Sequence, residues 1–150
     1  MEMIFNYGKV TTAGGSFIFS YLFGGWTAML VALIAFVTFD YVSGVAAAAY
    51  QDKLNARVGF WGIPKKVMIF GLVAIAHIID MVYLDVVGEP MAIGEFQLSI
   101  MAATILYYIV NESISIFENL GKLGVPIPKS LKKAIAIFDE DYDSNKNKGA

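Results

Sequence analysis

The chain has 150 residues, 57% of them hydrophobic and 16% charged, against ~45–50% and ~25% in an ordinary globular domain. That balance points to lipid, and a net charge of −2 makes no electrostatic case for a nucleic-acid partner. Cysteine is absent and histidine occurs once. Disulfides, thiol catalysis, iron–sulfur clusters and histidine-rich metal or haem sites are thereby excluded, and neither cofactor nor metal is expected.

Met1 to Val10 lacks a basic n-region, and no small-x-small site follows a short apolar core. No cleaved signal peptide is expected. Phe17 to Gly25 is apolar but flanked and broken by Gly14, Gly15, Gly24 and Gly25. Residues 1–25 therefore read as a glycine-rich interfacial or re-entrant segment rather than a span.

Three long apolar stretches follow, each near the ~20 residues a helix needs to cross the hydrocarbon. They run from about Trp26 to Tyr50, Val67 to Val87, and Gln97 to Phe117. Backbone in lipid must satisfy its own hydrogen bonds, so each should be helical. None carries the wide polar face that a buried helix of a soluble bundle would need. The fold class expected is an all-α membrane protein whose three-helix domain covers residues 26–120.

The connections differ sharply in charge. Gln51 to Lys66 carries Lys53, Arg57, Lys65 and Lys66 against Asp52, whereas Gly88 to Phe96 carries Glu89 and Glu95 and no base. Lys122, Lys129, Lys132 and Lys133 follow the third span. Basic short loops stay in the cytoplasm, so the N-terminus is expected outside and the C-terminus inside. In the basic loop, Phe60 and Trp61 suit the headgroup level, and Pro64 suits the first turn of the second helix.

Past the third span, Gly121 and Gly124 suit a helix stop, and Pro126 and Pro128 delay renewal. Residues 121–138 read as a cytoplasmic region whose Lys129 to Phe138 forms a short amphipathic helix. Lys132 and Lys133 there reach toward anionic headgroups, each basic residue contributing ~1 kcal/mol near the surface. Residues 139–150 read as a disordered polar tail.

Charges inside a span are costly unless paired or wet, which makes them the informative residues. Counted from the expected inner ends at ~1.5 Å per residue, Asp40, His77 and Glu112 each lie ~15–16 Å deep. Asp80 shares the face of His77 one turn further out, and Asn111 adjoins Glu112. Asp40, His77, Asp80, Asn111 and Glu112 thus form a candidate polar seam, which serves either function or packing alone. Ala28, Ala32 and Ala35 form one small face of the first span, and Gly44, Ala47 and Ala48 another, where helix backbones could approach closely. Nothing in the chain matches a nucleophile–base pair, a hydrolase carboxylate pair, a Walker loop or a dinucleotide fingerprint. No enzyme activity is expected.

Five stretches carry a family resemblance. Asp40-Tyr-Val-Ser-Gly44 is similar to a D-Y-x-S/T-G pattern, and Val58 to Lys66 contains G-F-x-G-I-x-K-K. Ala76 to Asp80 reads A-H-x-x-D, Asn111 to Asn119 reads N-E-x-x-S-I-x-E-N, and Leu123 to Leu131 reads L-G-V-P-I-P-x-x-L. In this order they resemble the phage holins of the toxin-secretion and phage-lysis type over about Trp26 to Ala136. Pro64 and Ser113 depart from the pattern, where a small residue and glycine are usual. The resemblance implies a homo-oligomer in the bilayer of the bacterial cytoplasmic membrane, opening lesions for a cell-wall hydrolase or toxin. Functional coupling to that hydrolase needs no direct contact. A small ion- or proton-conducting subunit and a membrane anchor for a soluble partner are the alternatives. Three spans offer no inverted repeat for a transporter.

The charge asymmetry makes a direct prediction about topology. In this cysteine-free chain, a single cysteine at Gly88 should react with an impermeant thiol reagent in intact cells, and one at Asn55 should not. The reverse labelling pattern would overturn the orientation.

Overall fold

The computed structural model describes residues 15–53 and 56–131, with backbone alone for 56–61. Arg57, Phe60 and Trp61 therefore have no described side chains, and Lys132, Lys133, most of the expected 129–138 helix and the tail lie outside the described residues. Helix α1 covers residues 15–23, α2 Ala28–Tyr50, α3 Ala56–Val87 and α4 Ile100–Lys122. A two-stranded antiparallel hairpin, β1 Ala92–Ile93 with β2 Phe96–Gln97, lies between α3 and α4.

Three of these helices are long and apolar enough to cross a membrane: Ala28–Tyr50, Gly62–Val87 within α3, and Ile100–Lys122. Their ends have local causes. The Thr27 hydroxyl accepts from the Leu30 amide at 3.2 Å, and the Ser99 hydroxyl accepts from Ala102 at 3.0 Å, so each helix starts on a side-chain cap. α4 stops in a Schellman turn, where Val125 N–H donates to the Leu120 carbonyl and Gly124 N–H to Gly121. Gly124 takes the left-handed conformation this turn needs, φ 83°. α2 ends in the same pattern with Asp52 at φ 53°, a strained choice for a residue with a Cβ.

Two expectations fail at the start of α3. Helix replaces most of the expected 51–66 loop from Ala56 onward, and Pro64 lies inside it rather than in its first turn. A proline there removes the amide that would bond the Phe60 carbonyl, a loss that membrane helices tolerate.

α4 is the central helix. It packs extensively on α2 and also on α3, whereas α2 and α3 barely touch. Leu30, Leu33, Val37, Val73, Ala76, Met101 and Ile105 form the core. The buried positions of α2 continue as Asp40, Ser43 and Ala47, and those of α4 as Glu112, Ile116 and Asn119. Both series step by about 3.5 residues, the spacing of a coiled-coil seam, and the first polar member of each, Asp40 and Glu112, falls at the same height.

α1 folds back over one end of this bundle. Phe19 and Phe23 pack against the core, and the Phe19 ring stacks on Trp26 at 4.3 Å. Gly24 and Gly25, at φ 64° and 91°, allow the reversal into α2.

Of the expected small faces, the structure takes one into the chain. A Cβ on Gly44 would lie 3.4 Å from Asn119 Nδ2, so its lack of a side chain lets α2 and α4 close. Ala48 is half-buried, while Ala28 and Ala35 are exposed and Ala32 is half-buried. Gly44→Leu should therefore wedge α2 from α4 and cost ~1–3 kcal/mol, as overpacking does. Thermal unfolding in detergent micelles checks this, with Ala35→Leu as a near-neutral control.

Candidate functional site

The polar ends of the α2 and α4 seams meet around one cation. Lys66 Nζ donates to Asp40 Oδ2 at 2.6 Å and to Glu112 Oε2 at 2.5 Å. The side chains retain 19%, 10% and 9% exposure for Lys66, Asp40 and Glu112, so the three charges are largely withdrawn from the surroundings. Asn119 Nδ2 donates to Asp40 Oδ1 at 3.1 Å and to Ser43 Oγ at 3.2 Å. Ser43 in turn donates to the Asp40 carbonyl at 3.0 Å. Among the described residues, no buried side-chain polar atom lacks a partner.

The cluster sits at mid-height. Asp40 lies 12 residues past Ala28 and Glu112 lies 12 past Ile100, each ~18 Å down its helix. Two carboxylates share one ammonium, a formal charge of −1 when all three are ionised. At such depth an unpaired charge costs several kcal/mol. The triad therefore holds only while α2, α3 and α4 stay together.

Lys66 corrects the sequence reading. Expected at the membrane surface as part of the basic loop, it turns into the bundle instead. Its neighbour Lys65 is exposed on the outside of the bundle, ~1.5 Å from Lys66 along α3 and so not at the surface level expected of it. The seam divides accordingly. Asp40 and Glu112 come together, Asn111 is half-buried beside Glu112, and His77 and Asp80 lie elsewhere. Asp80 closes the start of α4: its carboxylate accepts from Ser99 Oγ at 2.8 Å and from the Ile100 and Met101 amides at 2.8 and 2.9 Å. A carboxylate at a helix N-terminus meets both free amides and the positive end of the dipole. His77 lies under the α1–α2 reversal, where a Cβ on Gly24 would fall 2.9 Å from its Cε1. Ser43, Asn119 and Lys66 are the cluster members that sequence reasoning missed. The signal for Ser43 and Asn119 is the heptad continuation of each buried stripe; Lys66, on α3, has no such signal.

These two contacts set the height of α3. Lys66 to Asp80 is 14 residues, ~21 Å of helix, beside the 12 residues and ~18 Å from Glu112 back to Ile100. Residues 56–80 thus run alongside α2 and α4, and residues 81–87 continue ~10 Å beyond them.

The sequence matches the bacteriophage holin family over residues 17–140. The chain belongs to the bacteriophage holin family. It is 48% identical to an uncharacterized protein of Halalkalibacterium halodurans over 81% of this chain and 86% of that one. An uncharacterized protein of Listeria monocytogenes is 37% identical over 99% and 96% of the two chains. A protein named probable holin, from Bacillus phage phi105, is 30% identical over 86% and 87%. No solved structure matches. Holins are membrane proteins that time lysis and are not an enzyme family, and this one is a multi-pass protein of the cytoplasmic membrane.

The triad makes an asymmetric prediction for this holin. Lys66→Met leaves two facing carboxylates without a cation, and removing one partner of a buried pair costs ~3–5 kcal/mol. The variant should accumulate poorly in membranes. Adding Asp40→Asn and Glu112→Gln removes the uncompensated charge and should restore accumulation. Immunoblotting of membrane fractions checks both. Equal losses in the single and triple variants would deny that the pairing holds the bundle.

Proposed function

We propose that this chain self-associates in the cytoplasmic membrane and opens lesions through which a cell-wall hydrolase reaches its substrate, so that the host lyses. The observation that carries the reading is the charged triad at mid-bundle in a member of the holin family. A helix bundle that is to become the wall of a water-filled opening needs groups that water can solvate at the centre of the membrane. It also needs them matched against one another before assembly, when the surroundings are lipid. Asp40, Lys66 and Glu112, with Ser43 and Asn119 behind them, meet both requirements.

The opening step follows from the contacts. Apart from the Lys66–Asp40 pair, α3 joins the bundle through α4 and hardly through α2, so separation of α3 exposes the triad while the α2–α4 seam stays intact. In lipid that separation strands three charges; in an assembly that admits water it does not. Lateral association would therefore favour the open arrangement by supplying water. The exposed alanines Ala28 and Ala35 offer a close-packing face for such association. Release of a toxin rather than a hydrolase would use the same opening.

The test separates accumulation from permeabilisation. Asp40→Asn and Glu112→Gln each leave Lys66 one carboxylate, so each single variant should accumulate normally. Each also removes the excess negative charge and should delay lysis and dye entry at matched expression. The double change without Lys66→Met strands the ammonium and should not accumulate. Wild-type lysis times in both singles would reduce the triad to packing. Passage of ions without large dyes would indicate a conducting subunit, and passage of neither an anchor.

A further inference from the structure

We propose that the end of α3 and the β1–β2 hairpin form an interfacial anchor that lies in the headgroup layer of the bilayer. However the lesion opens, the height that the triad and Asp80 impose on α3 carries residues 81–87 past the ends of α2 and α4. A bilayer's headgroup regions add only ~5–8 Å on each side of the hydrocarbon, so a ~10 Å extension reaches through that layer.

The surface there is apolar. Val86 is 77% exposed, Ile93 70% and Phe96 79%. Ile93 and Phe96 are directly paired across the hairpin, which puts both side chains on one face. On α3 itself Ile75, Ile79, Val82 and Val86 are all exposed and recur at helical spacing, forming an outward apolar stripe. The upper part of this stripe, Val82 and Val86, stays exposed among the described residues. The hairpin is not a free loop, because Tyr83, Leu84 and Met91 line a shared groove beside Asp80. At the same end Trp26 and Tyr21 are exposed at 71% and 56%, the residue types that favour the membrane–water interface.

Charge identifies the kind of lipid surface. Asp85, Glu89 and Glu95 are exposed at this end, and no lysine or arginine occurs between Lys66 and Lys122. Attraction to anionic headgroups is absent here, in contrast with a polybasic anchor. Apolar insertion drives the contact, and zwitterionic headgroups suit it.

The test places a reporter at the hairpin. Phe96→Trp is made in the full chain with Trp26 and Trp61 replaced by phenylalanine, and reconstituted in phosphatidylcholine vesicles. Phosphatidylcholine brominated near the headgroup end of its chains should quench most of the emission. Phosphatidylcholine brominated near the chain ends should quench less, and acrylamide little. Val86→Trp serves as a second reporter should the hairpin variant fold poorly, with the same expectation. Strong acrylamide quenching with no effect of either brominated lipid, at both positions, would place this end in water and overturn the anchor.

Discussion

A lysine ammonium held between two carboxylates in the middle of an apolar bundle is the interaction on which this structure depends. Dispersion and small-residue packing hold membrane helices together only modestly, because lipid competes on equal terms for apolar side chains. A buried charge is different, since lipid offers it nothing. Lys66, Asp40 and Glu112 come from three different helices, so the penalty for exposing any one of them to hydrocarbon acts on all three helices at once. The apolar core of Leu30, Leu33, Val73 and Ile105 fills the space above the triad. It does not by itself say which helix must stand beside which, or at what height.

Height is the less obvious consequence. By hydropathy alone α3 would centre its span between Gly62 and Val87, leaving Lys66 near one surface with its ammonium free to reach headgroups. Pairing with Asp40 and Glu112 displaces the helix by more than a turn from that preference, and Asp80 fixes the displacement a second time at the start of α4. The apolar residues so pushed out of the bundle become the surface that the hairpin extends. One ion cluster therefore shapes both the middle of the molecule and its far end.

The three spans were legible in the sequence because hydropathy over a window needs no tertiary information. Asp40 and Glu112 were legible too, since their helices begin and end close to where composition places them. Lys66 was not. A lysine at the edge of an apolar stretch reads as the boundary of the span, and only its partners show that the helix continues for ten residues before it. The same misplaced origin explains His77. Counting from Lys66 as though it marked the surface put the histidine at the depth of Asp40, whereas it lies ~16 Å beyond the triad. Pro64 reinforced the error by reading as a helix start. The heptad spacing of Ser43 and Asn119 below Asp40 and Glu112 was present in the sequence, but polar residues at seam positions read as a surface until the cation that they surround is known.

The triad also bears on how a holin can be stable before it acts. A purely apolar bundle would have no reason to admit water, and a bundle with unmatched charges would not remain inserted. Matching two acids to one base lies between these extremes. The pairs are satisfied, yet every member regains hydration on exposure to water, so the free-energy difference between closed and hydrated arrangements is much smaller than the cost of either charge in lipid. Under the proposed self-association, what selects the hydrated arrangement is the local presence of water rather than a change in the chain itself. Under the same proposal, the slight contact between α2 and α3 leaves α3 as the helix to move, and its register makes that movement a choice between ion pairing at mid-bundle and the placement its own hydropathy prefers.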